Sequence, residues 1–300
     1  MKTILITGGA GFIASNLADK LSLTYNVVVA DNLSTSKIAN LTNFNKKNFY
    51  KIDVNNFKLL KRLFNKYKFD YVFHYAAVVG VKRTISKPLK VLEDIDGFKN
   101  IFILCKEYKV KRIFFSSSSE VYGEPVQMPQ NEEFTPLNSK LPYAVVKNIG
   151  ESFCRSFFHE HKLNYTIFRF FNTYGPRQSK DFVISKFINN AKKNIDINIY
   201  GDGLQSRTFC YIDDNIDSTI NALHNNMYVN KTINIGNEHI ISIKNLAKKI
   251  IKLTNSKSKI KFIKPLKEGD MHRRQPDISK MKKLLGRELI DLDQGLAKII

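Results

Sequence analysis

Residues 3–14 read Thr3-Ile4-Leu5-Ile6-Thr7-Gly8-Gly9-Ala10-Gly11-Phe12-Ile13-Ala14. An apolar, β-branched run ends in a glycine-rich turn, and an apolar pattern of helical period starts at once. A turn without side chains can bring its N–H groups against a pyrophosphate, and the helix behind it points its positive end at the same spot. Alone, such a turn says little. The strand before it, the helix after it and Asp31 at the end of the next apolar run make it specific. A carboxylate there accepts from ribose hydroxyls and repels a 2′-phosphate, so NAD is expected over NADP. Ala14 is a tolerated variant where the pattern prefers Gly.

Outward from this turn the same rhythm repeats. Strands are predicted at Thr3 to Thr7, Val27 to Asp31, Phe49 to Val54, Tyr71 to Tyr75, Arg112 to Ser116 and Tyr165 to Phe171. Helices are predicted between them at Phe12 to Leu23, Asn56 to Tyr67, Leu89 to Tyr108 and Tyr143 to His161. Repeated β-α-β units imply an α/β fold, a doubly wound parallel sheet of the Rossmann type with ligands at the carboxyl ends of its strands. After Asn172 the rhythm breaks. Helices follow near Phe182 to Lys193, Asp213 to Asn225, Ser242 to Leu253 and Ile278 to Leu285, with short strands near Ile197 to Tyr200 and Thr232 to Ile235. Residues 1–172 are therefore expected to form the dinucleotide-binding domain and residues 173–300 a smaller, mixed α/β substrate lobe, with some exchange of strands or helices between them.

Composition narrows the class. Of 300 residues 43% are hydrophobic, enough for a sizeable core. The 48 Lys and Arg outnumber 27 Asp and Glu, a formal charge of +21 that would attract polyanions. The lysines are spread from Lys2 to Lys298, whereas a nucleic-acid footprint is a patch, arm or stripe. No nucleic acid is expected, and an anionic small substrate fits. Cys105, Cys154 and Cys210 are odd in number and lack metal-ligand spacing, so neither disulfides nor a metal site is expected, and a cytoplasmic setting is. No apolar stretch approaches the about 18 residues of a membrane span.

Two further motifs carry chemistry. In Tyr143-Ala144-Val145-Val146-Lys147 a phenol and an ammonium lie four apart, on one face of the predicted helix. A tyrosine with a pKa of about 10 is a poor base, and a neighbouring cation lowers that value. In Ser116-Ser117-Ser118-Ser119-Glu120-Val121-Tyr122-Gly123 the fifth strand runs into a loop and presents hydroxyls at the rim of the cleft. Each has a plainer reading, an exposed helix pair and a polar loop. The order of the three motifs on these elements favours the functional one.

Together these residues resemble the extended short-chain dehydrogenase/reductases, in particular the NAD-dependent nucleotide-sugar epimerases, dehydratases and decarboxylases, over nearly the whole chain. The resemblance assigns cofactor contacts to Gly8, Gly11, Phe12, Ile13, Asp31, Asn32, Ser34, Asp53, Val54, Ala76, Ala77, Ser116, Tyr143 and Lys147. It makes Ser118, Tyr143 and Lys147 the catalytic set. Tyr143 would take the proton of a sugar 4-hydroxyl as hydride leaves C4 for NAD, while Lys147 lowers the tyrosine pKa. Within Arg169 to Arg177 and Tyr200 to Arg207 it gives Asn172 and Arg207 contacts to a nucleotide diphosphate, with UDP expected. It also implies a homodimer through the helices Leu89 to Tyr108 and Tyr143 to His161.

The enzymes so resembled diverge from a common 4-keto sugar. Dehydratases carry Asp-Glu where this chain has Ser119-Glu120, which disfavours 4,6-dehydration. C4 epimerisation asks for no further catalytic group and is the main expectation. Ser119, Glu120 and the segment His272 to Ile278, with Arg274 able to bind a C6 carboxylate, resemble the UDP-glucuronate-type decarboxylases, although Ala144 and Val145 replace their usual acidic residues. Arg274 also suits an epimerase acting on an acidic sugar. A non-catalytic NAD- or polyanion-binding protein on the same scaffold is the rival from another class.

Overall fold

Ile4, Leu5 and Ile6 of the first strand have no exposed surface. An unbroken apolar run predicts this, because helices cover both faces of a parallel sheet. The computed structural model describes residues 1–265 and 271–300. In chain order the elements are β1 (Thr3–Thr7), α1 (Phe12–Leu21), β2 (Asn26–Asp31), β3 (Phe49–Lys51), α2 (Phe57–Lys66), β4 (Tyr71–His74), α3 (Val81–Ser86), α4 (Pro88–Leu92), α5 (Asp94–Glu107), β5 (Arg112–Ser118), α6 (Pro142–His161) and β6 (Tyr165–Phe170). They continue as β7 (Thr173–Tyr174), α7 (Val183–Lys192), β8 (Ile197–Tyr200), β9 (Ser206–Thr208), β10 (Cys210–Tyr211), α8 (Ile212–His224), β11 (Lys231–Ile235), β12 (Ile240–Ser242), α9 (Ile243–Leu253), β13 (Ile260–Ile263), α10 (Ser279–Leu285) and α11 (Leu292–Ala297).

The main sheet runs β11-β6-β5-β4-β1-β2-β3, every pairing parallel. Its order reverses beside β1, so the carboxyl ends of β1 and β4 open a crevice there. Alternate side chains feed two cores. Ile4, Ile6, Val29, Phe114 and Phe168 belong to the core that includes residues of α1 and α8. Leu5, Val28, Val72, Phe115 and Ile167 belong to the core that includes residues of α2, α5 and α6. Beyond the sheet, β8 pairs β13, β9 pairs β12 and β7 pairs β10 in two-stranded ribbons.

Several boundaries differ from expectation. Strand β5 continues through Ser117 and Ser118, because its ladder with β6 still pairs Ser117 with Arg169 and Ser118 with Phe170. Serine's weak strand preference is overridden by a buried partner strand. The helix expected over Leu89 to Tyr108 divides at Glu93, where Asp96 N bonds Glu93 O and the ladder tightens to i→i+3. The strand expected to Val54 ends at Lys51, paired with Asp31 at the end of β2. The strand expected over Thr232 to Ile235 begins at Lys231 and extends the main sheet beside β6. The helix α11 was not anticipated, nor were α3 and the short strands β7, β9, β10, β12 and β13.

Candidate active site

Along the carboxyl ends of the strands lies a cleft of about 840 Å³. Gly8 opens it. Its φ is +65°, and a Cβ there would stand 2.7 Å from Ala76 Cα and N, so only glycine lets β1 and the chain after β4 approach this closely. Gly11 N then bonds Gly8 O at 3.0 Å and the first turn of α1 begins.

Asp31, 6% exposed, braces this end. Its Oδ2 accepts from Ala10 N at 2.9 Å, and its Oδ1 accepts from Leu33 N at 2.7 Å and Ser36 Oγ at 2.8 Å. A carboxylate has about four acceptor positions, so Asp31 both orders the glycine turn and retains acceptor capacity for a ribose. Asn32 Nδ2 donates to Asp53 Oδ2 at 2.9 Å, joining the ends of β2 and β3. Thr7 Oγ1 accepts from Tyr75 N at 3.2 Å and Ala76 N at 3.3 Å and pairs with His74 Nδ1 at 2.8 Å. Burial, reinforced by the Lys147 charge, pushes His74 down to about 3, so its ring is neutral.

At the other end, Lys147 of α6 is 2% exposed. Its Nζ donates to Ser116 O at 2.7 Å and to Ser116 Oγ at 3.3 Å. Burial lowers it to about 8, opposed by Asp94. Tyr143, one turn earlier, faces Ser118, which influences its phenol, and Ser118 Oγ accepts from Glu120 N at 3.2 Å. Burial raises the phenol well above its ordinary value. Ser118 lowers it, Glu120 and Asp94 raise it, and Arg274 lowers it. The ammonium sits 5.9 Å from the ring centroid with donors committed to Ser116, and the cation that offsets burial is Arg274.

Arg274, 5% exposed, crosses from the C-terminal region to the cleft wall. Its Nη1 bonds Glu120 Oε1 at 3.0 Å and Ser119 Oγ at 3.4 Å, and its Nη2 bonds Met271 Sδ at 3.1 Å. Glu120 Oε2 and Arg274 Nε are buried without hydrogen-bond partners among the described residues.

The cleft wall includes every expected cofactor position, namely Gly8, Gly11, Phe12, Ile13, Asp31, Asn32, Ser34, Asp53, Val54, Ala76, Ala77, Ser116, Tyr143 and Lys147, together with Ser118, Ser119, Glu120, Asn172 and Arg274. Arg207 stands elsewhere. It lies on β9, 8% exposed, with Nη1 on Ser206 O at 2.8 Å, and is not part of the cleft wall. Asp94, Tyr75 and Gln178 line the cleft without having been foreseen. Asp94 takes Val78 N at 2.9 Å, a pairing across sixteen residues that no local pattern announces.

Residues 4–236 match the model of the NAD dependent epimerase/dehydratase family. The chain belongs to this family. It is 34% identical to a putative UDP-glucose 4-epimerase of Methanocaldococcus jannaschii, over 99% of this chain and 97% of that protein. It is 33% identical to UDP-glucuronic acid decarboxylase 1 of Danio rerio, over 100% of this chain and 72% of that protein. The crystal structure of a UDP-glucose 4-epimerase from Thermotoga maritima with UDP-glucose superposes at a TM-score of 0.91 and 31% identity, covering 99% of this chain and 96% of that one.

The cofactor of the family is NAD, and the cleft fits it. The backbone at Gly8 leaves no room for a side chain, Gly11 opens a helix at the same turn, and Asp31 offers a carboxylate beyond it. Gly8, Gly11, Phe12 and Ile13 would hold the pyrophosphate side, Asp31, Asn32, Ser34, Asp53 and Val54 the adenosine side, and Ser116, Tyr143 and Lys147 the nicotinamide side.

Proposed function

We propose that this enzyme is a 4-epimerase of a nucleotide-diphosphate sugar, UDP-linked, working through a transient 4-keto sugar. The observation that carries the reading is the convergence of Ser118, Tyr143 and Lys147 on the wall of one cleft that also has the glycine turn and Asp31. Bound NAD supplies the acceptor, and later the donor, of hydride at C4. Ser118 Oγ holds the sugar 4-hydroxyl in line with Tyr143. Tyr143 would take that proton as a phenolate, the form that the positive charges of Lys147 and of bound NAD would favour against burial, and would return it to O4 when the carbonyl is reduced. Lys147, locked to Ser116, orients the nicotinamide side. Between the two half-reactions the keto sugar turns over and presents its opposite face.

The pairing of Arg274 with Glu120 supports a neutral sugar, since a guanidinium already matched by a carboxylate offers little net charge to a second one. The 4-epimerase relatives of M. jannaschii and T. maritima support the UDP link. One observation favours a second reading. Ser119, Glu120 and Arg274 stand together at the wall, more polar machinery than an epimerase requires, and the D. rerio relative is a decarboxylase. In that case Arg274 would hold a C6 carboxylate bidentately. Once C4 is oxidised, the C5–C6 bond would break, carbon dioxide leave, and C5 take a proton.

Incubation with UDP-glucose, UDP-N-acetylglucosamine and UDP-glucuronate, followed by NMR, tests the proposal. A C4 epimer is expected. Release of carbon dioxide from UDP-glucuronate replaces epimerisation with the second reading. Tyr143→Phe should abolish turnover while leaving NAD bound, and an active Tyr143→Phe enzyme would refute the role of the phenol.

Two copies of the chain are proposed to pair through α4, α5 and α6, where Leu89, Leu92 and Val145 are exposed. A cytoplasmic setting is proposed from the three cysteines, all free and buried. Among the described residues no helix is long and apolar enough to cross a membrane.

A further inference from the structure

Tyr143, Lys147 and Glu151 recur every four residues and so form one stripe along α6. Each meets a different serine at the carboxyl end of β5. Tyr143 faces Ser118, Lys147 Nζ donates to Ser116 O at 2.7 Å, and Glu151 Oε1 accepts from Ser117 Oγ at 2.7 Å. The first two rungs belong to the chemistry proposed above. The third lies deeper: Ser117 is at the base of the cleft wall and only 3% exposed, and Glu151 behind it has no exposed surface and is not part of that wall.

Glu151 is held hard. Arg169 of β6 donates Nε to its Oε1 and Nη2 to its Oε2, both at 2.8 Å, a two-pronged pairing with geometric as well as electrostatic preference. Arg155 adds Nη2 at 3.0 Å from the same helix. Arg169 Nη1 reaches Tyr122 Oη at 2.9 Å, and Tyr122 donates to Asn234 Oδ1 of β11 at 2.8 Å. A fully satisfied buried network of this kind resists displacement, because any shift strands a charge away from water. It ties together α6, the strands β5, β6 and β11 and the turn after β5.

We propose that Glu151 is a positioning residue: through Ser117 it sets the height of α6 on the end of β5, and thereby the reach from Tyr143 to Ser118. Ser117 is the lever, since of its neighbours Ser116 holds Lys147 and Ser118 faces Tyr143. The inference rests on the reading that Ser118, Tyr143 and Lys147 carry out the oxidation at C4.

Ser117→Ala tests it with little burden on folding, because the Glu151–Arg169 pair stays intact. With a sugar nucleotide that the wild-type enzyme turns over, kcat should fall about tenfold to a hundredfold, while KM and NAD affinity stay within about twofold. Glu151→Gln, which keeps the shape and removes the charge, should show the same split. A kcat equal to wild type in Ser117→Ala, or a loss of melting temperature without loss of kcat, overturns the proposal. If the wild-type enzyme turns over no sugar nucleotide, the functional reading fails, and the positioning role is decided by crystal structures of wild type and Ser117→Ala. A displaced Tyr143 hydroxyl sustains it, and an unmoved one overturns it.

Discussion

Lys147 carries an ammonium into a place that water barely reaches, and this has a thermodynamic signature. Burial lowers its pKa from 10.5 to about 8. Below pH 8 the folded and unfolded chains both hold the proton, and the fold bears the whole cost of a buried charge. Between about pH 8 and 10.5 the unfolded chain binds more protons than the folded one, so stability rises with pH across that window. Lys147→Met removes the titrating group but leaves the Ser116 carbonyl without its donor at every pH. The stability of Lys147→Met relative to wild type should therefore be greatest at neutral pH and decline from pH 8 to 10.5, a swing of up to about 3 kcal/mol. Urea unfolding of the cofactor-free protein at several pH values measures it. A pH-independent difference would mean that Lys147 is not desolvated as the structure places it.

The helix α6 is set against β5 by the absence of a side chain at Gly150. A Cβ there would stand 2.1 Å from Phe115 Cζ, deep inside the ring's own volume. Phe115 cannot yield easily, packed as it is between Phe98 and His74 with Lys147 Nζ 5.2 Å from its centroid. Alanine favours a helix interior by about 1 kcal/mol over glycine, whereas overpacking a filled core costs about 1–3 kcal/mol. Packing should prevail. Gly150→Ala is expected to lower the urea midpoint, and turnover with it, since α6 also carries Tyr143. A stabilised, fully active Gly150→Ala enzyme would show that the helix has room to spare. The same reasoning explains why α6 approaches β5 closely enough for Lys147 and Glu151 to reach Ser116 and Ser117.

Across the whole molecule, cofactor and substrate regions are tied by ionic contacts as well as by the sheet. Arg177, just past β7, donates Nη2 to Asp19 Oδ2 on α1 and to Thr42 Oγ1, both at 2.8 Å. The chain that follows Asn172 is thereby anchored to the helix behind the glycine turn. On the opposite side, Leu89 is 78% exposed on α4 and Val145 40% exposed on α6. Leaving such side chains in water forgoes up to about 1.5–3 kcal/mol each. Sedimentation equilibrium should report a dimer, and Leu89→Lys should shift it toward monomer without altering the melt of the isolated subunit. A wild-type monomer at micromolar concentration would remove the pairing proposed for α4, α5 and α6.

Much of this was legible in the sequence because it is local. The glycine turn at Gly8, the alternating strands and helices, and Tyr143 four residues before Lys147 are patterns of neighbours, governed by sterics and helical period. What the sequence could not determine lies between residues far apart. Ser117 and Ser118 read as loop until β6 offers them a ladder, and the strand at Lys231–Ile235 finds its place only beside β6. Arg274 meets Glu120 across 154 positions, and Glu151 meets Ser117 across 34. The sign of the shift at Tyr143 belongs to the same class, since burial outweighs the nearby cation and burial is a property of the whole fold. Chain neighbours established which groups are present. Only tertiary packing decided which are dry, which are paired and which face the cleft, because desolvation and long-range pairing have no counterpart in a local stretch of sequence.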